Sequence, residues 1–148
     1  MGFWSLEAQS FEPKGAIRLN QTSTPGSASP TVLIVDDEAE VAETWARVLK
    51  ASGYTCLLAY DVAQALSLFD SQQPALVLSD INLAIGDGFE IARYVRQKSP
   101  DTPVILMTGY QTAETPRKAS QFGATAYLRK PISNGELVST INSLLRRG

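Results

Sequence analysis

An α/β fold, a five-stranded parallel sheet with helices on both faces, is what this sequence predicts. Short, mostly apolar runs rich in Val, Ile, Leu or Tyr recur along the chain, and amphipathic stretches of helical length separate them. The runs also finish next to polar residues, so the same pattern that predicts the sheet gathers candidate chemistry at one of its edges.

The first run is Thr31–Val35, apolar at nearly every position, as suits a strand buried on both faces. After it, Val41, Trp45, Val48 and Leu49 recur at helical spacing, and Gly53 stands where a helix would stop. The second strand is expected at Tyr54–Ala59 and the third at Ala75–Ser79, with a helix-length segment between them. Asp87 followed by Glu90 has the spacing of a reciprocal helix cap and opens the third helix. The fourth strand is expected at Pro103–Met107. Pro116 fits only the first turn of the helix that follows, with Thr112 or Thr115 near its cap. The fifth strand is Thr125–Arg129. Ser133 and Glu136 then cap a last helix whose Leu137, Ile141, Leu144 and Leu145 share a face. Strand and helix alternating in this way imply right-handed crossovers.

The chain before Thr31 is different. Residues 20–30 have linker composition, and Phe3, Trp4, Leu6, Phe11, Ile17 and Leu19 before them show no clear period. The expected division is a flexible N-terminal extension with a Ser/Thr/Pro linker over 1–30 and one domain over 31–148. The alternative for the extension is the end of an upstream domain.

With 148 residues there is room for one ordinary domain, and 44% hydrophobic against 19% charged residues is enough for a real core. A net charge of −2 gives no basic footprint for direct nucleic-acid binding. Cys56 is the single cysteine, which excludes an intrachain disulfide and a cysteine metal cluster. The chain has no histidine, which excludes imidazole zinc sites, histidine-based triads and a phosphohistidine of its own. The start lacks the pattern of a signal peptide and no apolar run is long enough to span a bilayer, so a cytoplasmic protein without membrane contact is expected.

In an open parallel sheet the carboxyl ends of the strands share one edge, and ligands bind there. Asp36 and Asp37 follow the first strand, Asp80 the third, Thr108 the fourth and Lys130 the fifth. Singly, each suits a cap, a loop or a surface position. Jointly they bring three carboxylates, a hydroxyl and an ammonium to one place. Clustered carboxylates raise one another's pKa, and a hard divalent cation with oxygen ligands, Mg²⁺ above all, resolves that conflict. Aspartate can accept a phosphoryl group covalently, and a lysine and a hydroxyl aimed at the phosphoryl oxygens would complete such a site.

Val32-Leu-Ile-Val-Asp36-Asp37-Glu38, Ser79-Asp80-Ile-Asn82-Leu, Asp87-Gly88, Met107-Thr108-Gly109 and Gly123-Ala-Thr-Ala-Tyr127-Leu-Arg-Lys130-Pro131 together resemble, in order and spacing, the response-regulator receiver family. The resemblance covers about residues 31–146. It implies a flavodoxin-like doubly wound (βα)5 sandwich with strand order 2-1-3-4-5. It implies that Asp80 accepts a phosphoryl group from a sensor histidine kinase or a histidine phosphotransfer protein. Asp37, Asp80 and the main-chain carbonyl of Asn82 would bind Mg²⁺, with Asp36 contributing directly or through water and Mn²⁺ as a substitute. Lys130 would pair with the phosphoryl group and Thr108 would hydrogen-bond it. Tyr127 would be the switch aromatic that turns inward as Thr108 moves, and Lys130–Pro131 the site of a cis peptide. The fourth helix, fifth strand and fifth helix would form the output face and could join two copies as a homodimer.

Asn82 and Tyr110 occupy the positions that flank the hydrolytic water in this family. If strand geometry persists past Thr108, Tyr110 points the same way as Thr108 and its ring shields the site. One departure is Ala84, where the family usually has proline; with Gly86 it is expected to loosen the loop after Asp80. Asp80-Ile-Asn82 also resembles the Asp-x-Asp of Mg²⁺-dependent phosphatases, but Asn cannot serve as their general acid. A binding-only pseudo-receiver would lack residues that are present here, and no Gly-rich loop follows the first strand as in a nucleotide binder. The chain is therefore expected to be a signalling phosphoacceptor and not an enzyme, catalysing only its own phosphorylation and dephosphorylation.

Overall fold

The computed structural model describes residues 29–110 and 112–145. Apart from its last two residues, the extension over 1–30 lies outside them. Five strands and five helices alternate: β1 (Thr31–Val35), α1 (Ala39–Ala51), β2 (Thr55–Ala59), α2 (Val62–Gln72), β3 (Leu76–Asp80), α3 (Gly88–Lys98), β4 (Val104–Thr108), α4 (Thr115–Gln121), β5 (Ala126–Arg129) and α5 (Asn134–Leu145). All strands pair in parallel, in the order β2-β1-β3-β4-β5 expected from the family resemblance.

Alternation along each strand feeds two cores. Val32 and Ile34 of β1 join Leu76, Leu78, Ile105 and Met107 on the face covered by α1 and α5, where Leu49, Leu137 and Ile141 are fully buried. Leu33 and Val35 point the other way, with Val77, Val104 and Leu106, against Phe69 of α2, Ile91 and Val95 of α3 and Ala119 of α4. β3 and β4 are buried at every position, so the sheet's middle is a rigid platform for whatever follows its strands.

The helix starts follow their local chemistry. Asp87 and Glu90 form a reciprocal capping box at α3, with both hydrogen bonds at 3.0 Å. Ser133 Oγ accepts from the Glu136 amide at 3.0 Å to cap α5, and Asp61 does the same for Gln64 at α2 at 2.7 Å. Pro116 sits in the first turn of α4, where its missing N–H is harmless. Among the described residues no helix is long and apolar enough to cross a membrane.

Candidate functional site

Register brings the strand ends together. Val35 pairs with Ser79, Asp80 with Met107 and Thr108 with Arg129, so Asp36, Asp80, Thr108 and Lys130 emerge along one edge of the sheet. Asp36, Asp80 and Thr108 are the polar residues buried there, at 1%, 8% and 1% exposure.

Lys130 is the hub. Its Nζ donates to Asp80 Oδ2 at 3.0 Å and lies 3.8 Å from Asp36 Oδ2. The strand places it: the Lys130 amide donates to the Thr108 carbonyl at 2.8 Å, prolonging the β4–β5 ladder past Arg129. The Lys130–Pro131 peptide is cis.

Asp36 Oδ1 accepts from the Glu38 amide at 2.9 Å, while its buried Oδ2 has no hydrogen-bond partner. Burial pushes the Asp36 carboxyl above its ordinary value, and the Asp80 and Asp37 charges push the same way, against the Glu38 amide and Lys130. Asp37 is exposed, and its Oδ2 accepts from the Ala84 amide at 2.7 Å. Asp80 Oδ1 accepts from the Asn82 amide at 3.2 Å. Among the described residues no three acidic side chains stand ready-clustered around one point. The donor set nonetheless suits a hard cation: oxygen ligands, and a buried carboxylate oxygen that accepts no hydrogen bond.

The structure refines two expectations about the loops. The segment after Asp80 is tied at several points despite Ala84 and Gly86. Asn82 and Asp87 form an antiparallel bridge, Gly88 N donates to Ile81 O at 2.9 Å, and Ala84 is held by Asp37. Gly86 supplies a left-handed φ of 77° that a side chain rarely adopts. Hydrogen bonds thus anchor this loop to Asp37, Ile81 and Asp87 although the proline is missing. Second, strand geometry does not continue past Thr108. The chain turns and Tyr110 is 76% exposed, so the strand geometry from which its shielding was expected is absent.

That turn is built on Thr108. Its hydroxyl donates to Tyr110 O at 2.6 Å and accepts from Tyr110 N at 3.1 Å and from Asn82 Nδ2 at 3.0 Å. Sequence reading missed this role of the Asn82 side chain, since only the fold brings it across to Thr108. Tyr127 is half-buried and packs on the core shared by α2, α3 and α4.

Comparison with known proteins gives the same picture. The response regulator receiver domain family matches residues 32–142. The chain is 34% identical over 119 residues to the response regulator MprA of Mycobacterium ulcerans, covering 80% of this chain and 51% of MprA. It is 36% identical over 119 residues to the phosphate regulon transcriptional regulatory protein PhoB of Pseudomonas aeruginosa, covering 79% of this chain and 52% of PhoB. The chain thus spans about half the length of the curated relatives it matches. Its fold superposes with a TM-score of 0.76 and 27% identity on a CheY-like response regulator receiver domain protein of Methanospirillum hungatei, covering 80% of this chain and 96% of that one.

These similarities correct one expectation. The chain was expected to lie outside the enzymes, with catalysis confined to its own phosphorylation and dephosphorylation. The family match and the likeness to MprA establish a receiver domain and set no such boundary, so the exclusion does not stand. What the strand order, the matched residues and the relatives jointly establish is membership: the chain belongs to the response-regulator receiver family of two-component systems.

Proposed function

We propose that Asp80 accepts a phosphoryl group from the phosphohistidine of a sensor histidine kinase or a histidine phosphotransfer protein, and that the phosphorylated domain signals through α4, β5 and α5. The observation that carries this reading is Lys130, whose ammonium lies 3.0 Å from Asp80 and 3.8 Å from Asp36 at the carboxyl edge of the sheet. An Asp80 oxygen attacks phosphorus, the phosphorus–nitrogen bond breaks, and the imidazole leaves with the electron pair. Lys130 offsets the charge gathered on the transferred oxygens, and positioning supplies most of the rest.

Asp36, Asp37, Asp80 and the Asn82 main-chain carbonyl are the residues that would hold Mg²⁺, or Mn²⁺ in its place. When bound, the cation screens the repulsion between carboxylate and phosphoryl oxygens. Thr108 would reach the phosphoryl group, and the Tyr127 ring would follow it inward, which biases the two-state output face. A second copy of the chain is the proposed partner on that face, as a homodimer.

Residues 31–148 are proposed as the receiver unit, with 1–30 as an N-terminal extension and linker, in a cytoplasmic protein. MprA is named a response regulator, and PhoB is named a transcriptional regulatory protein; a transcriptional output through a partner or further domain is the corresponding reading here. The net charge of −2 supports no direct nucleic-acid contact by this chain.

Phosphoramidate, whose phosphorus–nitrogen bond matches that of the donor, tests the reading by intact mass. One phosphoryl group per chain is expected with Mg²⁺, about tenfold less or lower with EDTA, and none on Asp80→Asn. Uptake by Asp80→Asn at the wild-type level would overturn the assignment.

A further inference from the structure

The hydroxyl of Thr108 has one proton and two lone pairs, and in this structure all are used. The proton goes to Tyr110 O at 2.6 Å, and the lone pairs accept from Tyr110 N at 3.1 Å and Asn82 Nδ2 at 3.0 Å. The residue is 1% exposed, so water does not supply alternatives. Thr108 is therefore held in a resting position by its own loop on one side and by the loop after Asp80 on the other.

We propose that the Asn82 side chain is a latch: a positioning residue that holds the Thr108 hydroxyl in its resting place and lets go when Asp80 is phosphorylated. The release rests on the proposed phosphoacceptor role of Asp80. Asn82 is well placed to sense that event, because its own main-chain amide already bonds Asp80 Oδ1 at 3.2 Å. A phosphoryl oxygen on Asp80 is a charged acceptor, and a charged acceptor takes an N–H donor more strongly than a neutral hydroxyl does. The Asn82 amide then turns from Thr108 to the phosphoryl group, and one lone pair of the hydroxyl is freed. Thr108 can give up Tyr110 O and follow with its proton. Since Tyr110 is tied to Thr108 through both its N–H and its carbonyl, the same release unpins the start of the β4–α4 connection. Asn82 thereby joins the loop that carries the acceptor to the loop that carries the switch.

The first stage of the test uses the full chain without any phosphoryl group or analogue, so the resting contact is judged independently of the phosphoacceptor reading. Backbone and methyl NMR would compare wild type, Asn82→Ala and Asn82→Gln. Asn82 is exposed, and an unchanged melting temperature shows that the variants fold. Asn82→Ala is expected to speed hydrogen exchange of the Tyr110 amide about tenfold, the loss of roughly one hydrogen bond, and to shift the Thr108 methyl resonance. Asn82→Gln, which keeps a donor amide, should restore at least part of both. Unchanged Tyr110 exchange and Thr108 shift in Asn82→Ala would overturn the latch, and so would a Gln variant that behaves like Ala. Beryllofluoride is then added to the wild type. A Thr108 shift in the direction produced by Asn82→Ala supports release on phosphorylation, and a shift in the opposite direction overturns it. No response at all in the wild type refutes the phosphoacceptor reading and the release with it, and leaves the resting contact judged by exchange alone.

Discussion

At Asp36 a carboxylate is buried to 1% exposure, with one oxygen accepting the Glu38 amide and the other accepting nothing. A structural role alone would not favour such a group, because burying a charged oxygen that accepts no hydrogen bond, with only the Lys130 ammonium 3.8 Å away, destabilises the fold. Its pKa is raised from 3.8, chiefly by burial. Between 3.8 and that raised value the native state binds more protons than the unfolded chain. Stability therefore falls as pH rises through this window, and the penalty persists in full at neutral pH. With divalent cations chelated at pH 7, Asp36→Asn is expected to raise unfolding stability by about 1 kcal/mol, since the amide keeps an acceptor for Glu38 without the charge. Chemical denaturation checks this, and a variant no more stable than wild type would contradict it. At this scale Asp36, Asp80, Thr108 and Lys130 were legible because each directly follows or ends a strand, so topology alone fixes its neighbourhood. Tyr110 was not, because its direction depends on where the turn begins. The Thr108 hydroxyl sets that point by capping its own loop, and no apolar pattern records it.

Elements meet the site through backbone as much as through side chains. Gly88 opens α3 directly beneath the end of β3: a Cβ there would stand 2.5 Å from the Asp80 carbonyl oxygen and 3.0 Å from Ile81 Cα. Both are main-chain atoms that cannot swing away, so Gly88→Ala must push α3 or the acceptor loop aside. A loss of about 1–3 kcal/mol is expected by thermal or chemical unfolding. Gly135, in the first turn of α5 with nothing within 4 Å of its Cβ position, is the control and should tolerate alanine without loss. Equal stability of the two variants would show that α3 is not locked to the acceptor strand. The elements themselves were largely legible. β1 matches its apolar run over Thr31–Val35, whereas β3 and β4 extend one residue beyond their runs, to Asp80 and Thr108. Apolar patterning stops at these polar residues, while the ladder continues, pairing Asp80 with Met107 and Thr108 with Arg129. Asp80 and Thr108 are thus held by strand backbone on a fully buried platform.

In the whole molecule, the order β2-β1-β3-β4-β5 brings residues spread from Asp36 to Lys130 to one edge, while two apolar layers fix the sheet from both faces. The proposed function rests on this convergence, not on any single motif. Asp80 lies between Lys130 and the Asn82 amide, and Asp36 and Asp37 are the acidic alternatives to it as the proposed acceptor. Chemical reduction discriminates among them. Borohydride converts a phosphorylated aspartate to homoserine, and peptide mass spectrometry then reads the position. After incubation of the full chain with phosphoramidate and Mg²⁺, homoserine is expected at position 80 and at neither 36 nor 37. Homoserine at 36 or 37 in place of 80, or at none of the three, would contradict the account.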